Sequence, residues 1–362
     1  MNLKNQTLLF LTRNMGLGGT EAVVLQMCKI LQSEVRKIVV CSTNGINVKV
    51  LNEMGIKHYE IPDIERKSPH TILSVLSKLF TIINKEKITV IHTHHRMAAF
   101  YVALLSKVKA LEFINTSHNT FSDKRAFTRF ALRKANLIAC GEQVKKNLID
   151  YYGFSEERIT VIHNAVEVYS GKINKLPELE KYKNEGYILV GNVGRLSEQK
   201  GIDYFIKSLL IVKREIPLIK YVIIGDGEDR DKLIQLSKNL RLENDILFLG
   251  YREDVRNIIS QLDFVVLSSL WEGLPLTPIE AFSVGKTVIA TAVDGTVEII
   301  KNYKNGILVT PRSSNELAEK IIELTKNNET KKLLENGAYK SYCLEFSFDK
   351  YRSRVISYYL NL

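Results

Sequence analysis

Cysteine is scarce in this sequence, and its spacing carries no binding signature. Only four cysteines occur among 362 residues, and no two of them form a CxxC pair. This spacing argues against a disulfide framework and against a cysteine-ligated metal site. Cys41 and Cys140 lie in apolar, strand-like stretches. We expect free thiols, mostly buried, in a protein of a reducing compartment.

Long apolar runs are also missing. No run approaches the roughly 20 residues of a membrane-spanning helix. The apolar stretch TLLFLT (7–12) is followed at once by Arg13, so it is too short for the apolar region of a signal peptide. We expect a cytoplasmic protein that is at most peripheral on the inner face of the plasma membrane.

Acidic residues are outnumbered, 40 against 51 lysines and arginines, which gives a net charge of +11. Such an excess indicates a polyanionic neighbour: nucleic acid, an anionic membrane or phosphorylated ligands. The sequence has no zinc finger, no RNP-like aromatic motif and no sustained basic tract, so we expect no nucleic-acid partner. Phosphorylated ligands and an anionic membrane remain as the expected polyanionic partners.

What is present indicates two α/β domains. One hydrophobic core rarely serves more than about 250–300 residues, and β-branched runs alternate here with amphipathic stretches, which predicts parallel sheets with crossover helices, such as one over 20–31. The predicted strands are 7–12, 38–42, 90–94, 113–117, 137–141 and 161–164, then 187–194, 221–225, 246–250, 264–269, 287–291 and 306–310. We expect two doubly wound, Rossmann-like domains.

The domain boundaries follow from a polar, lysine-rich segment that contains Pro177. We expect a first domain over 1–168, a linker over 169–186, a second domain over 187–345, and a final helix over 346–362 that packs back toward the first domain. Ligands of such sheets bind beyond the carboxyl ends of the strands. A cleft between the two carboxyl edges is the predicted site.

A glycine-rich loop follows the first strand. Gly16, Gly18 and Gly19 let backbone N–H groups approach a phosphate or sugar at the positive end of the next helix. The loop is not the dinucleotide fingerprint, because the third glycine of that motif would fall at Glu21. A tight turn without a ligand is the alternative.

The loop GRLSEQKG (194–201) opens the second domain in the same way. Arg195 and Lys200 lie five positions apart between a strand and a helix, so both cations can converge on a diphosphate. Solvated surface cations are the alternative.

The densest segment is SSLWEGLPLTPIEA (268–281). Thr277, Pro278 and Glu280 predict a capping box at N-cap, N1 and N3 of a helix that ends near Gly285. Glu280 then either caps this helix or binds ribose hydroxyls, and the helix start offers N–H groups to a phosphate. Glu272 lies in the preceding loop, where no regular structure requires an acid, so a functional role is favoured.

These three motifs together carry a family resemblance. Glu272 and Glu280, with GRLSEQKG upstream and GLGGTE (16–21) near the start, occur in the order and spacing of the retaining GT-B glycosyltransferases of family 4. The chain resembles this family over essentially its whole length. The resemblance implies a GT-B fold with two domains facing a central cleft, the first holding the acceptor and the second the nucleotide sugar.

The resemblance also implies roles for single residues. Arg195 and Lys200 would neutralise the donor diphosphate and the leaving nucleotide. Glu280 would hold the ribose, and Glu272 would contact the transferred sugar. The other residues implied for the donor site are Gly16, Gly18, Gly19, Tyr251, Arg252, Gly273, Leu274, Leu276 and Thr277, of which Tyr251 and Arg252 belong to the base-binding loop.

Histidines follow two strands of the first half. His118 occupies the position of the family's active-site histidine near the donor sugar, so a catalytic role is implied, with a purely structural histidine as the alternative. His92, His94 and His95 form an HxHH run, which can bind metal in other proteins but has no acidic or cysteine partner nearby. We expect no metal site and no cofactor.

Two further features carry alternatives. Asp229 and Asp231 form a DxD pattern typical of metal-dependent transferases, but acids at a helix start are explained by the helix dipole. Over 121–136, Arg125, Arg129 and Arg133 form one helical stripe. That stripe is either a solvated outer face or a surface for anionic lipid, which would suit a lipid-linked acceptor.

Together with these motifs, the resemblance implies a metal-independent, retaining hexosyltransferase. Its partners would be a nucleotide diphosphate-sugar, most simply a UDP-sugar, and a glycan or lipid-linked oligosaccharide of cell-surface polysaccharide synthesis. A sugar-nucleotide epimerase of similar two-domain shape and a non-catalytic sugar-nucleotide-binding subunit are the alternatives.

Overall fold

The computed structural model describes residues 2–109, 111–169 and 171–362. Two compact units divide the chain. The first unit comprises residues 1–164 together with 351–362, and the second comprises residues 165–350. The final stretch of the chain thus belongs to the first unit.

Each unit contains one parallel sheet. The strands of the first are β1 Thr7–Leu11, β2 Lys37–Ser42, β3 Lys57–Glu60, β4 Val90–Thr93, β5 Glu112–Ser117, β6 Asn136–Ala139 and β7 Ile159–Val161. The strands of the second are β8 Ile188–Val193, β9 Ile219–Ile224, β10 Ile246–Gly250, β11 Phe264–Leu267, β12 Val288–Thr291 and β13 Gly306–Val309. Their spatial orders are β3-β2-β1-β4-β5-β6-β7 and β10-β9-β8-β11-β12-β13. The strand order reverses between β1 and β4 and between β8 and β11, where sheets of this kind bind ligands.

Helices connect the strands. The α-helices of residues 1–164 are α1 Gly19–Leu31, α2 Val48–Glu53, α3 Pro69–Lys85, α4 Arg96–Leu105, α5 Arg125–Leu132 and α6 Glu142–Asp150. Those that follow are α7 Pro177–Asn184, α8 Ile202–Glu215, α9 Arg230–Asn239, α10 Val255–Ser260, α11 Leu276–Ser283, α12 Thr296–Ile299, α13 Ser314–Lys326, α14 Asn328–Ser341 and α15 Phe348–Leu360. Short 3-10 turns cover Leu3–Asn5, Glu156–Arg158 and Glu198–Lys200, and a π-helical turn covers Tyr342–Phe346. None of the described helices is both long enough and apolar enough to cross a bilayer.

The central strands are buried on both faces. Every residue of β1 and of β9 is buried, as in the near-continuous apolar strands of parallel sheets covered by helices on both sides. In the second unit, Phe205 of α8 stacks on Tyr221 of β9 with ring centroids 4.0 Å apart. Packing of this kind fixes the carboxyl ends of the strands, and therefore the loops that follow them.

The predicted strands are confirmed, although β7 covers Ile159–Val161 rather than 161–164. The predicted helix over 20–31 begins one residue earlier, at Gly19. The sequence pattern missed β3, because its residues, KHYE, are polar and lie exposed or half-buried at the sheet edge. Residues 177–184, inside the segment expected as a linker, form α7.

Candidate active site

Two loops meet at the carboxyl edge of the second sheet, beside the point where the strand order reverses. They follow β8 and β11. The Leu270 amide donates to the Gln199 carbonyl at 2.8 Å, and the Ser268 hydroxyl donates to the Lys200 carbonyl at 2.9 Å. Gly201 has φ +53°, and a β-carbon there would lie 2.4 Å from the Ser268 carbonyl oxygen. Only glycine therefore permits this close approach of the two loops.

Lys200 and Glu272 form an ion pair at this junction. The Lys200 Nζ lies 2.6 Å from Glu272 Oε1, and the side chains are only 16% and 6% exposed. The Ser269 hydroxyl donates to the same Oε1 at 2.6 Å, while the Glu272 amide lies 3.4 Å from an oxygen of Asp294. Because a buried charge is costly unless it is paired, these contacts keep Glu272 in one position.

The capping box predicted at Thr277 is wrong. Helix α11 begins at Leu276 with Pro275 as its N-cap, so Thr277 and Pro278 occupy its first turn. The Thr277 hydroxyl donates instead to the Val193 carbonyl at the end of β8, at 3.3 Å. The prediction failed because the neighbouring strand supplies an acceptor for Thr277, and proline is tolerated throughout a first turn, where N–H groups have no helical partner.

Glu280 consequently has no capping duty. It is half-buried on α11, and its carboxylate has no hydrogen-bond or ion-pair partner among the described residues. Burial raises the pKa of Glu280, and the positive charges of Arg256 and Lys200 oppose that rise. A half-buried carboxylate with unused acceptor positions can accept hydrogen bonds from ligand hydroxyls.

The start of α11 supplies further donors. The amides of Leu276 and Thr277 are the first two of the helix and point out of its amino end without intrahelical acceptors. Gly273 and Leu274, just before the helix, are buried. A β-carbon at Gly295, after β12, would lie 1.7 Å from the Gly273 carbonyl oxygen. Three loops of the sheet edge are therefore packed together around Glu272.

Arg195, Tyr251 and Arg252 have separate surroundings. The Arg195 side chain is 71% exposed and pairs with Glu228 at 3.0 Å, so Arg195 and Lys200 have different ion-pair partners. Arg252 makes two hydrogen bonds to Asp254, which raise the pKa of the guanidinium. Tyr251 is exposed beside it, after β10.

In the first unit, the glycine-rich loop lies against its own helix. Helix α1 begins at Gly19 with Gly18 as N-cap. A β-carbon at Gly18 would lie 2.4 Å from Oε2 of Glu21, and the Gly16 amide donates to the Asn14 side chain at 2.8 Å. This helix start therefore carries an acidic side chain, unlike the start of α11.

His118 stands at the end of a column of three histidine rings. Its Nε2 is 3.0 Å from Nδ1 of His94, and the two rings lie edge to edge, 22° from parallel, with centroids 5.3 Å apart. His94 stacks in turn on His92 at 4.4 Å. Burial lowers the pKa of His118 to about 4 and that of His92 to about 3, and burial also holds the pKa of His94 well below its usual value. These imidazoles are therefore neutral at physiological pH.

A cavity of about 630 Å³ opens beside this column within the first unit. His94, His118 and Asn119 contribute polar groups to its lining, while Phe100 and Phe127 contribute apolar surface. A cavity of this size, mainly apolar with a few polar groups, is typical of small-molecule sites.

The HxHH run and the DxD pattern, which can bind metal in other proteins, have other roles here. Both ring nitrogens of His92 are engaged, one with Tyr359 and one with Thr116, each at 2.7 Å, and His95 accepts the Met97 amide as N-cap of α4. Asp229 is the N-cap residue of α9. The described residues contain no group of three side chains arranged to hold a metal ion.

Sequence patterns missed several residues of these sites. Ser269, Asp294 and Arg256 contact or influence the two glutamates. Ser269 lies in the recognised segment 268–281 but was not selected, and the stretches around Asp294 and Arg256 gave no reason to select these residues. His94 did carry a signal, since it belongs to the HxHH run at the end of β4. That run was interpreted only as a metal motif.

Relatives of both halves of the chain are known. The family model Glycosyl transferases group 1 matches residues 176–341, and Glycosyltransferase Family 4 matches residues 17–169. An uncharacterized glycosyltransferase of Methanocaldococcus jannaschii is 31% identical over 284 residues, or 74% of each chain. The Escherichia coli protein named UDP-Gal:alpha-D-GlcNAc-diphosphoundecaprenol alpha-1,3-galactosyltransferase is 27% identical over 331 residues, or 85% of each chain.

Solved structures share the fold. The crystal structure of Anabaena HepE in complex with UDP-glucose matches with a TM-score of 0.86 and 22% identity, covering 99% of this chain and 100% of that one. Both sheets, with their strand orders, therefore belong to a known architecture.

Proposed function

Because the chain belongs to the group 1, family 4 glycosyltransferases, which have the GT-B fold, we propose that it transfers a sugar from a UDP-sugar to a glycan or lipid-linked oligosaccharide, with retention of the anomeric configuration. The observation that carries this proposal is the carboxylate of Glu280, which has no hydrogen-bond or ion-pair partner among the described residues and lies on α11 within the electrostatic influence of Arg256 and Lys200. One edge of the second sheet thus offers an acceptor for ribose hydroxyls beside donors for phosphates.

The donor diphosphate would bind at the start of α11. The amides of Leu276 and Thr277 favour an anion there, as any free helix amino end does, and Lys200 adds a cation within the same junction. Arg195 would leave Glu228 and turn toward the phosphates, which its exposure permits. Tyr251 and Arg252 would hold the base. The HepE complex with UDP-glucose and the name of the E. coli relative support UDP as the nucleotide.

Glu272 would contact the transferred sugar. In a retaining transfer, positive charge develops at the anomeric carbon while negative charge develops on the leaving phosphate. Lys200 now neutralises Glu272; a bound diphosphate would draw the ammonium toward itself and leave the carboxylate to face the sugar. Arg195, Lys200 and the amides of α11 would thus replace a metal ion, and we propose a metal-independent reaction.

The acceptor would bind in the first unit, and a lipid-linked acceptor is supported by α5. Arg125, Arg129 and Arg133 are exposed, and no described carboxylate pairs with them. Phe127 and Phe130 of the same helix pack on Phe100 of α4, so the contact with an anionic membrane would be electrostatic rather than insertion of an apolar face. The E. coli relative acts, by its name, on a diphosphoundecaprenol-linked sugar. The proposed place of work is the cytoplasmic face of such a membrane.

The test begins with thermal-shift measurements against UDP, GDP, ADP and their sugar conjugates. A ligand at 100 times its Kd stabilises a protein by about 2.7 kcal/mol, and we expect UDP and a UDP-sugar to stabilise this one. The sugar conjugate that binds is then assayed for UDP release with polyprenyl diphosphate-linked sugars as acceptors. NMR of the first-formed product gives its anomeric configuration.

Each alternative has its own outcome in this test. An epimerase would convert the UDP-sugar without an acceptor, and a binding subunit would be stabilised without turnover. An inverted product would contradict retention, and no stabilisation by any nucleotide sugar would contradict the proposed function as a whole.

A further inference from the structure

Three cationic side chains line the cavity of about 630 Å³ in the first unit. They are those of Lys67, Arg96 and Lys124. Among the described residues, Glu65 is the only carboxylate of the lining, and it is already paired with Arg13 at 2.6 Å. The lining therefore carries an excess of positive charge, which favours an anionic ligand.

Arg96 is held in place and still has donors to spare. Its guanidinium lies over the Phe121 ring, 3.9 Å from the ring centroid, and Asn147 fixes Phe121 by hydrogen bonds to its amide and its carbonyl. The Arg96 Nη1 contacts Asp123 at 2.6 Å and the Tyr152 hydroxyl at 3.5 Å. The Nε and Nη2 atoms have no hydrogen-bond partner among the described residues. An arginine stacked on a ring can bind a phosphate through such a free edge of its guanidinium.

Asp123 is the anion that now faces two of these cations. Its carboxylate lies 2.6 Å from Arg96 and 3.6 Å from Lys124, and its side chain is 50% exposed. Exposed ion pairs of this kind contribute little to stability. A diphosphate has more negative charge and more acceptor oxygens than a carboxylate, and it accepts the same charge-assisted hydrogen bonds. The two cations can therefore exchange Asp123 for a phosphate.

Aromatic rings border the same cavity. Phe100 of α4 and Phe127 of α5 stack with centroids 5.2 Å apart, and both residues are half-buried. Met97, Leu132 and Leu148 add further apolar surface to the lining. A ligand made only of phosphate would leave this surface in contact with water, whereas a hydrocarbon chain attached to the phosphate would cover it. The lining therefore matches an amphiphile with an anionic head and an apolar chain.

We propose that this cavity binds the diphosphate and the adjoining isoprene units of a polyprenyl diphosphate. The diphosphate takes the place of Asp123 at Arg96 and Lys124. The chain lies against Phe100 and Phe127. The inference rests on the proposed function, which supplies a lipid-linked acceptor of this chemistry. Helix α5 carries both Phe127 and the arginines proposed to meet the membrane, so a chain that passes Phe127 can continue toward the lipid.

The experiment measures the binding of geranyl diphosphate, a soluble short-chain prenyl diphosphate, by calorimetry. Saturating UDP is present, so that the phosphates of the probe do not occupy the proposed donor site. Inorganic diphosphate and geraniol are measured in the same way, to separate the head from the chain. The variants are Arg96→Gln and Asp123→Asn. Their matched controls are Arg352→Gln and Glu34→Gln, which break another ion pair of the same unit, at 3.5 Å.

We expect the parent to bind geranyl diphosphate at least about tenfold more tightly than inorganic diphosphate or geraniol, because only the prenyl diphosphate meets both the cations and the apolar surface. Arg96→Gln should weaken this binding at least about tenfold. Asp123→Asn should strengthen it at least about threefold, because the carboxylate no longer competes for Arg96. A gain in affinity cannot result from misfolding. Both control variants should stay within about twofold of the parent.

Two results would overturn the inference. One is a parent that does not bind geranyl diphosphate, or parental affinity in both Arg96→Gln and Asp123→Asn. The other is equal affinity for geranyl diphosphate and inorganic diphosphate, which would show that the cavity recognises phosphate without the chain.

Turnover gives a separate measurement. With a polyprenyl diphosphate-linked sugar as acceptor, Arg96→Gln should raise the acceptor KM at least about tenfold and leave the donor KM within about twofold. A raised donor KM with an unchanged acceptor KM would contradict the inference. A parent that binds geranyl diphosphate but neither binds UDP nor transfers a sugar would instead reject the proposed function, and the ligand assigned to the cavity would stand.

Discussion

Glu272 and Glu280 belong to one short segment but have opposite surroundings. Glu272 is engaged by Lys200 and Ser269, whereas Glu280 has no partner among the described residues. Removing charge from a paired carboxylate and from an unpaired one should therefore have different consequences for folding. The two residues can be distinguished by measurements that treat stability and activity separately.

We predict that Glu280→Gln keeps the parental Tm and raises the donor KM about tenfold or more, because its carboxylate forms no hydrogen bond or ion pair with a described residue. Glu272→Gln should lower kcat at saturating donor by about 100-fold, and it should also cost about 1–3 kcal/mol of stability because Lys200 loses its ionic partner. Steady-state kinetics and urea unfolding measure both effects.

The control for both is Glu243→Gln, which removes an exposed glutamate of the same unit and should change neither quantity. Parental kcat in Glu272→Gln would reject its role at the reacting sugar. A lowered Tm with unchanged donor KM in Glu280→Gln would return that residue to a structural role.

The buried histidines predict a pH dependence of stability. Their pKa values in the folded protein, about 3 for His92 and about 4 for His118, lie below the value of about 6.5 in an unfolded chain. Below pH 6.5 the unfolded chain therefore binds protons that the folded protein does not, and the free energy of unfolding falls as pH falls toward 4.

At pH 5 we expect the free energy of unfolding to be lower by about 1–2 kcal/mol for each buried histidine. Urea unfolding at pH 7.5, 6 and 5 measures this decrease. His92→Asn should make the decrease in unfolding free energy smaller by the contribution of one histidine. His70→Gln, at an exposed position, should leave the contribution of the histidine column unchanged. A free energy of unfolding that does not change from pH 7.5 to 5 would contradict the neutral, buried column.

At the scale of elements, the start of α11 depends on the loop after β12. Gly295 lies against the Gly273 carbonyl so closely that any β-carbon would overlap it. The segment from Gly273 to Leu276 must therefore shift if Gly295 is changed, and with it the amides proposed for the diphosphate. This dependence links a residue outside the recognised motifs to the donor site.

We predict that Gly295→Ala destabilises the protein by about 2 kcal/mol or more and weakens UDP binding at least tenfold. Gly285→Ala is the control: it has φ +71° and open space around it, so only about 1 kcal/mol of left-handed strain is expected, with UDP binding unchanged. Calorimetry measures the Kd for UDP, and urea unfolding measures the stability of each variant. Equal results for Gly295→Ala and Gly285→Ala would show that UDP binding does not depend on the contact between Gly295 and Gly273.

Helix α5 allows a test of the membrane proposal. Its three arginines should contribute about 1 kcal/mol each near an anionic surface, so Arg125→Gln, Arg129→Gln and Arg133→Gln together should weaken binding to phosphatidylserine vesicles at least tenfold. Binding of the parent should weaken as salt rises, because the contact is electrostatic. Vesicle co-sedimentation at several salt concentrations measures both.

The matched control removes three exposed cations of the second unit, Lys238, Lys332 and Lys340, by the same change to glutamine. It alters net charge equally and should retain most of the vesicle binding. Equal losses in the two triple variants would assign the binding to the net charge of +11 rather than to α5.

At the scale of the whole molecule, the donor site is proposed to use groups of the second sheet edge in place of a metal ion. Lys200 and the amides at the start of α11 would face the diphosphate there. We predict that transfer continues in excess EDTA with about the parental rate. Loss of turnover in EDTA that Mg²⁺ or Mn²⁺ restores would contradict this prediction and return the Asp229 and Asp231 pattern to consideration.

The two sheets could be predicted from the sequence because all of their strands except β3 have a local apolar pattern. Apolar runs such as those of β1 and β9 are buried on both faces, and their alternation with helical stretches specifies parallel sheets. β3 could not be predicted in this way, since a half-exposed edge strand of polar residues has no apolar pattern. The start of α11 was misplaced for a related reason: the partner of Thr277 lies on β8, 84 positions away.

The sequence by itself determined the fold class and the family and singled out the two glutamates as candidates, because these inferences depend on local periodicity and on motifs of fixed spacing. Only the tertiary structure decided which polar group each side chain meets. Lys200 and Glu272 are 72 positions apart, His94 and His118 are 24 apart, and His92 and Tyr359 are 267 apart. No local pattern encodes such pairings, since strand order and loop packing select the partner, and a hydrogen bond forms only where atoms come within about 3 Å of each other.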